Sequence, residues 1–234
     1  MNTSTSEPRS PYLFHYTPKF EFLQSSLRHG FWPRYCEEDY SALFQEHLGQ
    51  RFWLAFPVVC FTDIPPAAAT DHMGRYGKYA IQLSKDYASH ADLQSMLYML
   101  PGSRLAAHFK DQILANGRRP TSPEAMANPL FRLLPFVKLT PGSQQSRNGS
   151  EAWDVQAFED EMEWRYLAEV PELRVIDDYG TAGFVKEHHN EESRSHPLAV
   201  PQEYIEAIFV LAFEELALLE NEFPGLKSKI QVRR

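Results

Sequence analysis

Residues 56–64 (FPVVCFTDI) form an unbroken run of apolar, β-branched and aromatic side chains, with Pro57 near its start and Pro65 just beyond it. A segment of that kind has no polar face to offer water, so it predicts a central strand of a sheet covered on both sides. A chain built around such a strand needs layers above and below it. With 234 residues, 43% hydrophobic and 13% aromatic, there is core enough for one domain. Asp63 stands at the end of the run, where the chain leaves the sheet.

Other elements are legible around it. Tyr12, Leu13 and Phe14 read as a buried strand that ends in the triplet His15, Tyr16, Thr17. Thr17 and Pro18 read as a helix N-cap and first helical position, and Phe20, Leu23 and Leu27 recur at helical spacing before the stop at Arg28, His29 and Gly30. Residues 31–52 show no clean period except for a short helix near Ser41 to Leu48. Ala67 to Tyr76 reads as a helix that places His72 and Tyr76 on one face, ended by Gly77. Tyr79, Ile81 and Leu83 then alternate with Ala80, Gln82 and Ser84 as in a strand.

Residues 88–116 read as helical with a break at Pro101 and Gly102, 131–139 as irregular because of Pro135, and 141–150 as a linker-like surface loop. Glu161 to Val170 reads as a strand with Met162, Trp164, Tyr166 and Ala168 on one face and Glu163, Arg165 and Leu167 on the other. Leu173, Val175 and Ile176, a turn at 177–180, a helix-like stretch near Phe184, a strand Ile205 to Leu211 and a helix from Glu214 to about Phe223 complete the chain. The expected organisation is a flexible N-terminus over 1–11, one domain over 12–223 and a basic tail over 224–234.

Composition and motifs exclude several functions. A formal charge of −8 argues against binding duplex DNA mainly through its phosphates. Basic residues gather at Arg118 and Arg119, at Arg132 and Lys138, and at Lys227, Lys229, Arg233 and Arg234, and read as solvated faces and a frayed tail. Cys36 and Cys60 lack the spacing of a zinc site or disulfide scaffold, and Cys60 inside the apolar run reads as an inert small hydrophobe. Glu187, His188, His189, Glu191 and Glu192 carry metal-ligand chemistry without ligand spacing, so a solvated loop and no metal are expected. No dinucleotide glycine fingerprint, phosphate loop or nucleophile elbow is present. The polar N-terminus lacks the apolar middle of a signal peptide and no apolar stretch approaches membrane-spanning length, which points to the cytoplasm.

What remains is a group of polar residues at strand ends: His15, Asp63, Glu161 and Glu163, with Tyr76 and Tyr79 near them. Cleavage of the bond between nicotinamide and ribose in NAD passes through an oxocarbenium-like state that a carboxylate stabilises. A Tyr ring can stack on nicotinamide and a strand-end His can hydrogen-bond the ribose or carboxamide. Each residue also has a structural reading: His15 as a satisfied core histidine, Thr17 as a cap, and Glu161 and Glu163 as a charged strand edge.

The strings LFHYT, VVCFTDIP, His72 with Tyr76-Gly77, YAIQL and DEMEWRYL resemble the AbiGi-type abortive-infection family of bacterial phage-resistance proteins over roughly Leu13 to Leu211, with VCFTDIP and EWRY the most specific pieces. That family carries the label of antitoxin, which names no chemistry. A second similarity, in His15-Tyr16-Thr17, the strand Val58 to Thr62 and a late Glu, is to DarT-type ADP-ribosyltransferases, which modify nucleic acid. This resemblance implies a single α+β domain of the ADP-ribosyltransferase type, a split mixed β-sheet with flanking helices and a helical insertion around 88–117. In it Glu163 would be the catalytic carboxylate, with Glu161 competing for the role. His15, Tyr16 and Thr17 would contact NAD, together with Asp63, His72, Tyr76 and Tyr79. The phosphate-contacting Arg stays open among Arg34, Arg51 and Arg75.

The function expected on that basis is an NAD-dependent ADP-ribosyltransferase toxin of an anti-phage system, acting on single-stranded RNA or DNA and held by an antitoxin partner. Two alternatives stand beside it: a catalytically silent protein of the same fold that acts as an antitoxin or binds a phage component, and an NAD hydrolase.

Overall fold

A computed structural model describes residues 10–49, 52–115, 120, 122–145, 153–168 and 186–233. In chain order these form β1 (Tyr12–Thr17), α1 (Phe20–His29), β2 (Arg34–Asp39), α2 (Ser41–Leu48), β3 (Trp53–Thr62), α3 (Thr70–Tyr76), β4 (Tyr79–Ser84), α4 (Asp86–His90), β5 (Gln94–Ser95) and β6 (Leu97–Met99). Next come α5 (Arg104–Leu114), α6 (Pro123–Met126), β7 (Val137–Leu139), β8 (Gly142–Gln145), β9 (Trp153–Gln156), β10 (Glu163–Leu167), α7 (Lys186–Ser193), β11 (Ile205–Val210), α8 (Phe213–Glu222) and β12 (Ile230–Val232).

The apolar run lies where its composition requires, in β3 at the heart of a mixed sheet ordered β12-β11-β4-β1-β3-β10-β5, with β2 also pairing to β3. All pairings in this sheet are antiparallel except β11 with β12. β1 meets β3 through a short pairing, Phe14 against Thr62, so the two halves expected of a split sheet are one connected sheet. Alternation along β3 divides the core. Val59 and Phe61 face one layer with Leu23 of α1 and Leu219 of α8. Leu54, Phe56 and Val58 face the other, with Phe44 of α2 and Phe109 and Ile113 of α5. A smaller cluster of Phe14, Tyr16, Ala69 and Ala80 lies against Met73 and Tyr76 of α3. Gly77 has φ +110° and a Cβ there would lie 2.3 Å from the backbone of Pro18, so only glycine lets α3 pass into β4 at this point.

Several expectations change. Thr17 stays in β1, paired to Tyr79, and α1 begins after Lys19 without a side-chain cap, because the β1–β4 register extends to the end of the triplet. Residues 31–52 contain β2 as well as the expected helix α2. The helical reading of 88–116 holds at the end of α4 and for α5 but not between them: Asp92 turns the chain with φ +52°, and β5 and β6 follow. Part of the linker-like stretch, Gly142–Gln145, pairs with Trp153–Gln156. Residues 186–193 are a helix, not a loop: Asn190 accepts from the Tyr35 amide at 2.8 Å and Ser193 donates to the Pro33 carbonyl at 2.7 Å, which fixes α7 against the start of β2. The expected elements at 173–185 and the pair Arg118 and Arg119 lie outside the described residues. Among the described residues no helix is long and apolar enough to cross a membrane.

The basic tail is not frayed over its described residues, 224–233. Ile230 is buried and β12 closes the sheet edge beside β11, with the Arg233 amide donating to the Val210 carbonyl at 2.8 Å. Ile230→Ala is therefore expected to lower unfolding stability by about 2–4 kcal/mol in urea titration. A free tail would leave the titration unchanged.

Candidate functional site

Strand β10 carries the chemistry. Glu163 pairs with Thr62 and Arg165 with Cys60, so alternation puts both side chains on the face that also bears Val58. That face is charged, as the sequence indicates, but it is interior. Arg165 is fully buried. Its Nε donates to Glu163 Oε1 at 2.7 Å, Nη2 to Glu163 Oε2 at 3.2 Å and also to Glu38 of β2, and Nη1 to the Pro135 carbonyl at 2.9 Å. The guanidinium fork thus holds one carboxylate through two bonds and reaches two other segments of chain.

A second cation completes the cluster. Lys138 of β7 donates to Glu161 Oε2 at 2.8 Å and Glu163 Oε2 at 3.0 Å, and its ammonium lies 4.3 Å from the ring centroid of Phe158. Glu161 Oε1 accepts from the Tyr76 hydroxyl at 2.8 Å, with Arg75 Nη1 3.8 Å away. The Thr62 hydroxyl donates to the Glu161 carbonyl at 2.7 Å, and the Glu163 amide donates to the Tyr98 hydroxyl oxygen at 2.9 Å. Burial alone would push the Glu163 carboxyl up, but Arg165 and Lys138 beside it overcome that and hold it well below the usual carboxylate range. Burial disfavours the charge on Lys138 as well, and Glu163, Glu38 and Glu161 overcome it and secure the ammonium. For Tyr76, burial and then the neighbouring Glu161 push the phenol up, so it remains a donor.

Cys60 packs against the apolar cluster that contains Phe56 and Val58, as expected, and also borders the ionic one. Cys36 Sγ donates to Glu38 Oε1 at 3.8 Å, and the closeness of the two thiols pushes Cys60 up and Cys36 down. Among the described residues no group of three or more His, Cys, Asp or Glu is arranged to hold a metal.

The residues expected to share one NAD site divide between the two faces of the sheet. Directly opposed residues of an antiparallel pair point the same way, so Glu163, Thr62 and Phe14 share a face. Tyr16 lies on that face as well, its ring 5.1 Å from His72, which is in turn 4.4 Å from Tyr76. His15 and Thr17 alternate to the far side. There His15 is wedged 4.5 Å from Phe31 and 5.6 Å from Phe61, with Nδ1 3.0 Å from the Cys60 carbonyl. Tyr79 is opposite Thr17 and donates to Glu215 at 2.6 Å. Asp63 accepts from Lys85 at 3.2 Å beside Trp164, and its Oδ1 is buried with no hydrogen-bond partner among the described residues. Glu161, Glu163, Tyr16, His72 and Tyr76 are therefore brought together, while His15, Thr17, Asp63 and Tyr79 are separated from them by the sheet. Lys138, read as a solvated cation, is buried within the cluster. Glu38 and Tyr98 are also part of it and carry no local motif. The one available signal was Arg165, two residues after Glu163 on the same strand face.

Two separate acid windows follow. Burial lowers His15 from 6.5 to about 4, against the opposing Cys60 carbonyl contact, so between these values the unfolded chain binds the extra proton and stability falls as pH falls. Glu163 is depressed, so its contribution is complete above the unfolded carboxylate range and is lost on acidification below about 4.3. Urea midpoints measured from pH 7 to 3 are expected to fall in both windows. His15→Gln should remove the slope between about 6.5 and 4, and Glu163→Gln the one below it.

A family model described as "Putative abortive phage resistance protein AbiGi, antitoxin" matches residues 29–210. No curated protein and no solved structure matches the chain. The antitoxin description overturns the expected NAD-dependent ADP-ribosyltransferase toxin in favour of the antitoxin alternative, and it names neither NAD nor nucleic acid as a partner. The matched span runs from the end of α1 through the ionic cluster to the end of β11, and the chain belongs to the AbiGi family of abortive phage-resistance proteins.

Proposed function

We propose that this chain is the antitoxin of an abortive-infection pair and that it works as a binding protein, neutralising a toxin by contact. The observation that carries this reading is the family match, which spans residues 29–210 and so includes the segment that supplies Glu38, Lys138, Glu161, Glu163 and Arg165. The cluster's geometry supports it. A carboxylate that stabilises an oxocarbenium must face the reacting sugar, whereas both oxygens of Glu163 are engaged by Arg165 and Lys138. The histidine and threonine assigned to NAD lie across the sheet from that carboxylate. A net charge of −8 favours encounter with a basic partner and sets the partner's preferred chemistry.

The test is co-expression with the product of the adjacent gene in a host that this product arrests. Growth is expected to be restored, with a stable complex recovered from the same cells, and the purified chain incubated with labelled NAD and RNA is expected to leave both unchanged. Growth arrest by this chain alone, or NAD consumption lost in Glu163→Gln, would overturn the reading.

A further inference from the structure

Helix α8 buries a narrow stripe. Leu219 is in the core, and Leu216 and Phe223 pack against the same cluster. At 100° per residue the opposite side of a surface helix is ordinarily polar. Here it carries Phe213, 72% exposed, and Leu218, 56% exposed, with exposed Ala217 between them and exposed Leu211 just before the helix. Phe213 and Ala217 are one turn apart on one side of the exposed face, and Leu218 flanks them on the other side of exposed Glu214. Scattered exposed hydrophobics need no explanation, but a patch gathered on one helix face marks an interaction site.

Helix α1 extends the same layer. Arg28 and Gln24 both donate to Glu222 near the C-terminal ends of the two helices. Tyr79 donates to Glu215 in the first turn of α8 at 2.6 Å, and its ring lies 6.1 Å from that of Phe20, the first residue of α1. The helices therefore run side by side with their N-termini together, and α1 presents exposed Phe22 on its outer side. Acidic residues on this pair outnumber cations: Glu21, Glu214, Glu215, Glu220 and Glu222 against Lys19, Arg28 and, just beyond α8, Lys227. Arg28 is already paired to Glu222 and Lys227 to Glu220. Lys19 lies 5.5 Å from the centroid of the Phe22 ring, and exposed Glu21 and Glu214 together still leave the N-terminal edge of the patch net negative.

We propose that the α1–α8 face is the surface that docks the toxin, its apolar centre at Phe213, Ala217 and Leu218 meeting an apolar patch on the partner, with partner lysine or arginine side chains against Glu21 and Glu214. The proposal rests on the antitoxin reading above and adds where the contact is made. A second copy of this chain is the poorer occupant, because a two-fold contact brings the patch onto itself and sets acid against acid.

The test uses the full chain and, as probe, the immobilised product of the adjacent gene. The variants are Phe213→Asp with Leu218→Asp, and Glu21→Lys with Glu214→Lys. All four positions are exposed, and circular dichroism with a thermal melt establishes that each variant is folded. The apolar pair is expected to weaken binding at least about tenfold through faster dissociation, and the charge pair to slow association and flatten its salt dependence. A wild-type chain that fails to bind the probe sinks the antitoxin reading and this proposal with it. Wild-type binding with both folded variants unchanged overturns the docking surface alone. Variants that convert a dimer of this chain to monomers without altering probe binding would assign the face to self-association and also overturn it.

Discussion

Arg165 is a permanent cation with no access to water, and the architecture around the sheet is organised by the need to satisfy it. A buried charge is tolerated only when it is paired and its donors are used. Glu163 supplies the partner from two residues earlier in the same strand, Glu38 reaches in from β2, and the Pro135 carbonyl accepts from the turn before β7. Lys138 then balances the remaining carboxylate charge by bridging Glu163 to Glu161. Three acids and two buried cations, with Arg75 at the margin, come close to neutrality and tie together β2, β7, β10 and α3. Apolar packing alone would leave these segments free to slide. The polar cluster fixes their register, because removal of any one member leaves another charge unpaired in the interior.

The same constraint shapes function. Both oxygens of Glu163 are taken up by Arg165 and Lys138, and the His15 and Thr17 that were expected to contact NAD lie across the sheet from it. In the proposed reading the division of labour is between inside and outside: an ionic interior that ties the strands together, and outer helices whose exposed apolar and acidic groups meet a partner. An antitoxin that works by contact requires both, a rigid scaffold and a surface left open.

The parts of the fold legible in the sequence were those with a clear period. β3, β4, β11, α1, α2 and α8 follow apolar runs, alternation or helical spacing, because their side chains face one core. Strand β2 reads RYCEED, with no apolar alternation, and its polarity reflects what it packs against: Glu38 points inward to Arg165. β5, β6 and β12 are short and take their conformation from the neighbours they pair with, which no local pattern records. At the candidate site the alternation of β10 correctly separated the charged face from the aromatic one. Which face was buried was not legible, since that depends on Lys138 and Glu38, 25 and 125 positions from Glu163. The strand-end residues looked like one constellation because sequence places His15 and Glu163 at strand ends without stating which side of the sheet each takes.

The most direct test is a double-mutant cycle on Glu163→Gln and Arg165→Met, read by urea unfolding at pH 7. If the buried pair holds the fold, each single variant should lose about 3–5 kcal/mol and the double variant much less than the sum, a coupling of about 2–3 kcal/mol. Additive effects within about 0.5 kcal/mol, with single variants close to wild type, would contradict the account and leave Glu163 free for another role.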